Sequence, residues 1–179
     1  MNKTIALALF VASFTGCAFV DRPGQNYTVY IDPAFGDRTA DVVNAFDDWA
    51  TKVQWHSPHF DITIYNLTCD SSCTHVITIH PEKLAQISGH QGVDDLGYTH
   101  REWSYNLFDG NNDWSNIYIG SDMQGNEAQY FDETIKHEIG HSLGLVHTGC
   151  GTLMRFSPTC ASPDIAAGDI EQYEQVRGY

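Results

Sequence analysis

The sequence predicts an α+β domain, and three features carry that prediction. Short stretches rich in β-branched and aromatic residues occupy the first part of the chain, a helix with one apolar face lies among them, and a longer helix follows. Hydrophobic residues make up 42% of the 179 positions, enough for one sizeable core. No repeat or low-complexity linker divides the chain, so residues 27–179 read as a single domain, expected to act as a monomer.

The N-terminus reads as a targeting segment and stands apart from the fold. Lys3 gives a short positive region, and Ile5 to Phe14 an apolar run too short to span a bilayer. It ends in Phe14-Thr15-Gly16-Cys17, which resembles the lipobox of bacterial lipoproteins, with Phe14 where that pattern usually has Leu. The resemblance implies a signal over residues 1–17, lipidation of Cys17 and export. Ala18 rather than Asp follows Cys17, which implies an outer-membrane or cell-surface lipoprotein in a cell with two membranes. Cleavage by an ordinary signal peptidase, giving a secreted protein, is the alternative. No other apolar run is long enough for a membrane helix, so the expected membrane contact is the lipid alone.

Residues 18–26 form a short polar leader. Tyr27 to Ile31 alternates as a strand and stops at Asp32-Pro33. A helix capped by Asp37 or Thr39 then runs to about Val53, with Val42, Val43, Phe46, Trp49, Ala50 and Val53 at helical spacing. Phe60 to Tyr65 and Val76 to Ile79 are strands, joined through Cys69 to Cys73. Gly89 to Gly97 reads as loop, Tyr98 to Trp103 as a fourth strand, Asn111-Asn112-Asp113 as a turn and Asn116 to Ile119 as a fifth strand. A long helix starts near Glu127. A last one runs from about Gly168 to Arg177, with Ile170, Tyr173 and Val176 on one face and Gly178 at its end.

The long helix carries HEIGHSLGLVH, His137 to His147, an instance of H-E-x-x-H-x-x-G-x-x-H. His137 and His141 stand one helical turn apart, so both imidazoles project toward one point. Gly144 allows a left-handed exit from the helix, and the returning chain brings His147 to the same point. Three neutral nitrogens with an open fourth position describe a catalytic zinc site, whereas a structural site is closed by four protein ligands. Glu138 is placed to act as general base on a water held there.

The motif and the Gly151-Thr152-Leu153-Met154 stretch after it resemble the metzincin signature, in which a Met-turn follows the long zinc motif. Within that clan the chain is most similar to matrixins, the matrix-metalloproteinase type of catalytic domain. Thr148 stands where matrixins have Ser, and Gly168-Asp169-Ile170-Glu171-Gln172-Tyr173 resembles their D-D-I-x-x-I helix. The resemblance implies a twisted, mostly parallel five-stranded sheet, two long helices and a small C-terminal subdomain ending in a helix. It also implies zinc-dependent endopeptidase activity, with His137, His141 and His147 as ligands, Met154 as an apolar floor and Asp169 supporting the Met-turn. The peptide substrate would pair with the edge strand Tyr98 to Trp103. Phe156 stands where astacins and serralysins have a helping Tyr, so no tyrosine assists here. A metzincin-fold zinc protein without turnover, an adhesin or toxin component, is the competing reading.

Five cysteines are present, and if Cys17 takes the lipid an even four remain in an exported chain. Three connectivities are open, of which Cys69–Cys73 with Cys150–Cys160 is the expectation; the second would close a loop around Met154. Archaemetzincins also carry a Cys shortly after the third His, but need further cysteines for a second zinc that this chain lacks. Asp109 to Asp113 has the oxygen density of a calcium loop but no downstream bidentate Glu, so a hairpin turn is expected there. His75, His80, His90 and His100 read as polar surface residues. The net charge of −14, without any Lys/Arg cluster, speaks against a nucleic-acid partner.

Overall fold

The computed structural model describes residues 25–53, 56–64, 75–91, 96–106, 110–123, 130–155 and 162–178. Its strands are β1 (Asn26–Ile31), β2 (His59–Ile64), β3 (His75–Glu82), β4 (Gly97–Asn106) and β5 (Gly110–Gly120). They form one mostly parallel sheet in the order β2-β1-β3-β5-β4. Only β4 runs antiparallel, along β5, and it forms one edge of the sheet. β3, in the middle, is a run of four buried residues rather than an alternation, as expected for a strand covered on both faces.

Register places Val29 beside Ile77, Ile31 beside Ile79, and Ile79 in turn beside Ile117, so one face of the sheet is continuously apolar. Two helices cover it. α1 (Thr39–Lys52) contributes Val42, Phe46 and Trp49, and α3 (Phe131–Ser142) contributes Phe131, Ile135 and Ile139, all essentially fully buried. Each such side chain stabilises the fold by about 1.5–3 kcal/mol. This sandwich of helix on sheet fixes α3, the helix with the histidines, against β4 and β5.

Local signals were overridden in several places. Asp32 caps a short 3-10 turn, Pro33–Arg38, by accepting the Ala34 N–H at 2.8 Å, and α1 then starts at Thr39 without the side-chain cap expected from Asp37 or Thr39. A helix, α2 (Leu84–Gln91), stands before and partly within the stretch Gly89 to Gly97 that reads as loop. Its first turn is capped from afar, the Leu84 N–H donating to Asp122 Oδ1 at 2.8 Å. Asn111, Asn112 and Asp113 form no turn; they lie inside β5, opposite Tyr105, Ser104 and Trp103 of β4. The Asp113 carboxylate there is gripped by both arms of Arg101, so it is a partner of that cation rather than part of an oxygen loop.

The C-terminal part begins after α3 and ends in α4 (Ala167–Arg177), stopped by Gly178 in the left-handed region at φ 78°. Tyr173 is buried and Ile170 packs against the core, but Val176, expected on the same inner face, is 48% exposed. The targeting segment, the leader up to residue 24, Cys69, Cys73, Asp109, Phe156 and Cys160 lie outside the described residues, and Asn26, expected in the leader, already opens β1. Among the described residues no helix is long and apolar enough to cross a membrane.

Candidate metal centre

α3 places His137 and His141 one turn apart on the side facing the C-terminal part. The helix then closes by a Schellman motif: the Leu145 N–H donates to the Gly140 carbonyl at 3.0 Å, and the Gly144 N–H to the His141 carbonyl at 2.9 Å. Gly144 has φ +98°, and a Cβ there would meet the Arg101 guanidinium at 2.7 Å. The positive φ is what calls for glycine. The turn reverses the chain and delivers His147.

The Nε2 atom of His147 lies 3.2 Å from that of His137 and 3.1 Å from that of His141, and the three ligand nitrogens fall within 4.8 Å of one another. The rings of the helical pair are tethered through their other nitrogen. His137 Nδ1–H donates to the Leu153 carbonyl at 2.8 Å, and His141 Nδ1–H to the Leu145 carbonyl at 2.9 Å. A carbonyl only accepts, so each bond fixes the tautomer and turns the Nε2 lone pair toward the common point. Burial is the main reason both imidazoles are held down to about 4; for His141 the nearby His137 adds to it. Both therefore stay neutral, and able to ligate, well below neutral pH. A tetrahedral ion about 2.0–2.1 Å from each nitrogen needs them roughly 3.3 Å apart. The two short spacings fit zinc.

Met154, expected as the floor of the site, is fully buried. Its sulfur lies against Gly140, where a Cβ would come within 2.3 Å of Sδ and 3.1 Å of the Trp49 ring. Trp49 reinforces α3 from behind, its indole N–H donating to the Lys136 carbonyl at 2.9 Å. Asp169, wholly buried, fixes the turn: its carboxylate accepts the N–H groups of Leu153, Met154 and Ala166 at 2.8–3.0 Å. The Leu153 whose amide is held there is the residue whose carbonyl orients His137. On the other side, the Thr148 N–H donates to the Met154 carbonyl at 2.6 Å and ties the His147 segment to the same turn.

Two buried cations fasten this lobe to the helices. Arg155 bonds Glu133 of α3 and the Ser162 carbonyl. Lys136 is bonded to Asp48 at 2.7 Å and Asp132 at 2.9 Å, with Asp164 at 3.7 Å. Burial alone would lower the Lys136 ammonium, but the bonds from Asp48 and Asp132 outweigh it and hold it above the ordinary lysine range. Neither cation was legible as part of the site.

Glu138 follows His137 and is 6% exposed, turned toward β4. Its Oε2 accepts a hydrogen bond from the Thr99 hydroxyl at 2.6 Å. Cys150 is disulfide-bonded, close behind His147 in the chain. Among the described residues the other histidines stay out of the cluster; the side chain of His90 lies outside them. His80 bonds Asp32 at 3.1 Å and His100 bonds Glu102 at 3.3 Å. His75, expected at the surface, is partly buried between Tyr27 and Asp113; its Nδ1 is buried without a hydrogen-bond partner, and burial lowers its pKa.

No family model matches the sequence, and no curated protein matches it. Among solved structures, archaemetzincin from Methanopyrus kandleri is similar with a TM-score of 0.54 and 12% identity, covering 89% of this chain and 99% of that one. Metalloproteinase-II from Bacteroides fragilis gives a TM-score of 0.48 at 14% identity, covering 84% of this chain and 52% of that one. The first likeness establishes the fold; the second adds no weight to it. Around the three histidines, then, stands a five-stranded, mostly parallel sheet with helices, in the arrangement of an archaemetzincin.

Proposed function

We propose that the chain is a zinc-dependent endopeptidase. The observation that carries this reading is the convergence of three imidazole nitrogens, two of them on rings tethered to carbonyls, beside a buried glutamate, on a fold shared with archaemetzincin. His137, His141 and His147 would hold the ion. The chemistry a bound zinc supplies is Lewis acidity, lowering the pKa of water and polarising a scissile carbonyl.

The rest is done by the chain itself. The Glu138 carboxylate takes the proton of the attacking water and passes it to the leaving amine nitrogen, so that peptide and water become a carboxylate and an amine. The exposed edge of β4 orients the substrate by main-chain hydrogen bonds in the antiparallel sense. Met154 shapes the floor without ligating. The finer assignment, a matrixin-like enzyme, rests on Thr148 after the third histidine and on the helix of Asp169. A Cys150–Cys160 bridge, a lipid on Cys17 and an exported monomer complete the proposal.

The test pairs zinc content with cleavage of casein by residues 18–179. One zinc per chain is expected, with cleavage abolished by chelation and lowered on the order of 10²–10⁴-fold by Glu138→Ala. Stoichiometric zinc without cleavage would overturn the enzyme and favour the surface-protein reading.

A further inference from the structure

β4 does more than border the cleft. Its residues Gly97, Thr99 and Arg101 alternate onto the face toward α3, and each meets the helix or its terminal turn. A Cβ at Gly97 would come within 2.7 Å of Thr134 Cγ2 and 2.8 Å of Glu138 Cγ, so the missing side chain is the space that lets Glu138 lie against the strand. Arg101 reaches the turn at Gly144. Between them, the Thr99 hydroxyl faces two acceptors on Glu138, the carboxylate Oε2 at 2.6 Å and the main-chain carbonyl at 3.0 Å. A hydroxyl has one proton, and the charged, nearer acceptor takes it.

We infer that Thr99 is a positioning residue for Glu138, its hydroxyl fixing the carboxylate on the strand that receives the substrate. This rests on the reading of Glu138 as the base. A long side chain such as Glu has several rotamers to choose among, and a catalytic group must be held within about half an ångström of its productive place. Gly97 supplies the room and Thr99 the anchor. Because the anchor sits on β4, the strand proposed to orient the peptide also orients the group that moves the proton.

The test uses zinc-loaded protein and compares Thr99→Val, which keeps the shape and loses the hydroxyl, with Thr99→Ser, which keeps the hydroxyl. Thr99→Ala serves as a second variant should Val crowd Glu138. For a peptide substrate, Thr99→Val is expected to lower kcat roughly 10- to 100-fold, the usual scale for losing an outer-shell partner, with KM within about twofold. Thr99→Ser should recover most of kcat. Zinc affinity, read by competition with a chelating dye, and the melting temperature should stay at the parent values in all three. Binding of acetohydroxamate, a zinc-binding acid whose proton the neighbouring carboxylate accepts, should weaken in Thr99→Val. In a Glu138→Gln background the same Thr99 change should make no difference to that binding.

An unchanged kcat in Thr99→Val, a Ser variant no better than Val, or parallel losses of zinc affinity and melting temperature would each overturn the positioning role. Glu138→Gln run alongside separates the two readings. If it retains full kcat, the base assignment fails and this inference with it; if it is inactive while Thr99→Val is normal, only Thr99 is refuted.

Discussion

His137 and His141 sit on a packed helix, whereas His147 sits on the segment that returns from it. The helical pair is partly buried, with each Nδ1 bonded to a carbonyl. His147 is exposed, and the bond described beside it is the Thr148 N–H to the Met154 carbonyl. Two ligands thus stand partly buried on a helix packed against the core, and the third lies exposed on the returning segment. The lesson is that shielding from water in this site is uneven, concentrated on α3.

The largest effect that bears on this contrast is ligand removal. His141→Ala should lower zinc affinity by more than the roughly 100-fold that an outer-shell loss costs, and by more than His147→Ala does. Dye competition reads both, and equal losses would break the distinction between a partly buried pair and an exposed third ligand. Next comes Asp169→Ala, which strips three backbone N–H groups, two of them buried, of their acceptor. At about 1 kcal/mol or more for each buried group, unfolding in urea should show a loss of about 2 kcal/mol or greater. Because Asp169 anchors both Leu153 and Met154, zinc affinity should fall as well, loosening both halves at once.

Gly140→Ala is expected to be smaller, about 1–3 kcal/mol from overpacking against the Met154 sulfur and Trp49. Its effect on zinc should appear through the floor while the helix itself persists by circular dichroism. The mildest is a pH effect in metal-free protein. His137 and His141, lowered to about 4 in the fold from the ordinary histidine value of about 6.5, remain neutral while the unfolded chain takes up protons. Their contribution to stability is therefore present above about pH 6.5 and is lost as pH falls toward 4. Urea midpoints between pH 7 and pH 4 should show that loss, and the His141→Ala variant should show a shallower one.

Much of this centre was written in spacing. The intervals from His137 to His141, Gly144 and His147 specify a helix, its left-handed exit and a return, and local geometry suffices to bring three nitrogens together. Asp169 was reachable too, through the resemblance of its helix. What stayed hidden depends on elements meeting across the fold. Nothing near Thr99 announces that β4 will set it against Glu138, and Gly140 stands at an unspecified position of the motif until Met154 is placed over it. Asn111-Asn112-Asp113 has strong turn chemistry, yet pairing with β3 and β4 overrides it at Asp113, and Arg101 takes up the charge. Residues Leu84–Gln91 gave little sign of a helix, since Ile87 is the fully buried side chain described in it and its cap arrives from Asp122.

Trp49 gives the molecule an optical consequence. Its indole is locked to the carbonyl one residue before His137 and its ring edge faces the groove at Gly140, so the chromophore rides on the backbone that carries the ligands. Any tightening of α3 on loading reaches an emitter already sealed from water. The Trp49→Phe difference spectrum isolates that emission from the other tryptophans, turning occupancy of the site into a colourless, label-free signal.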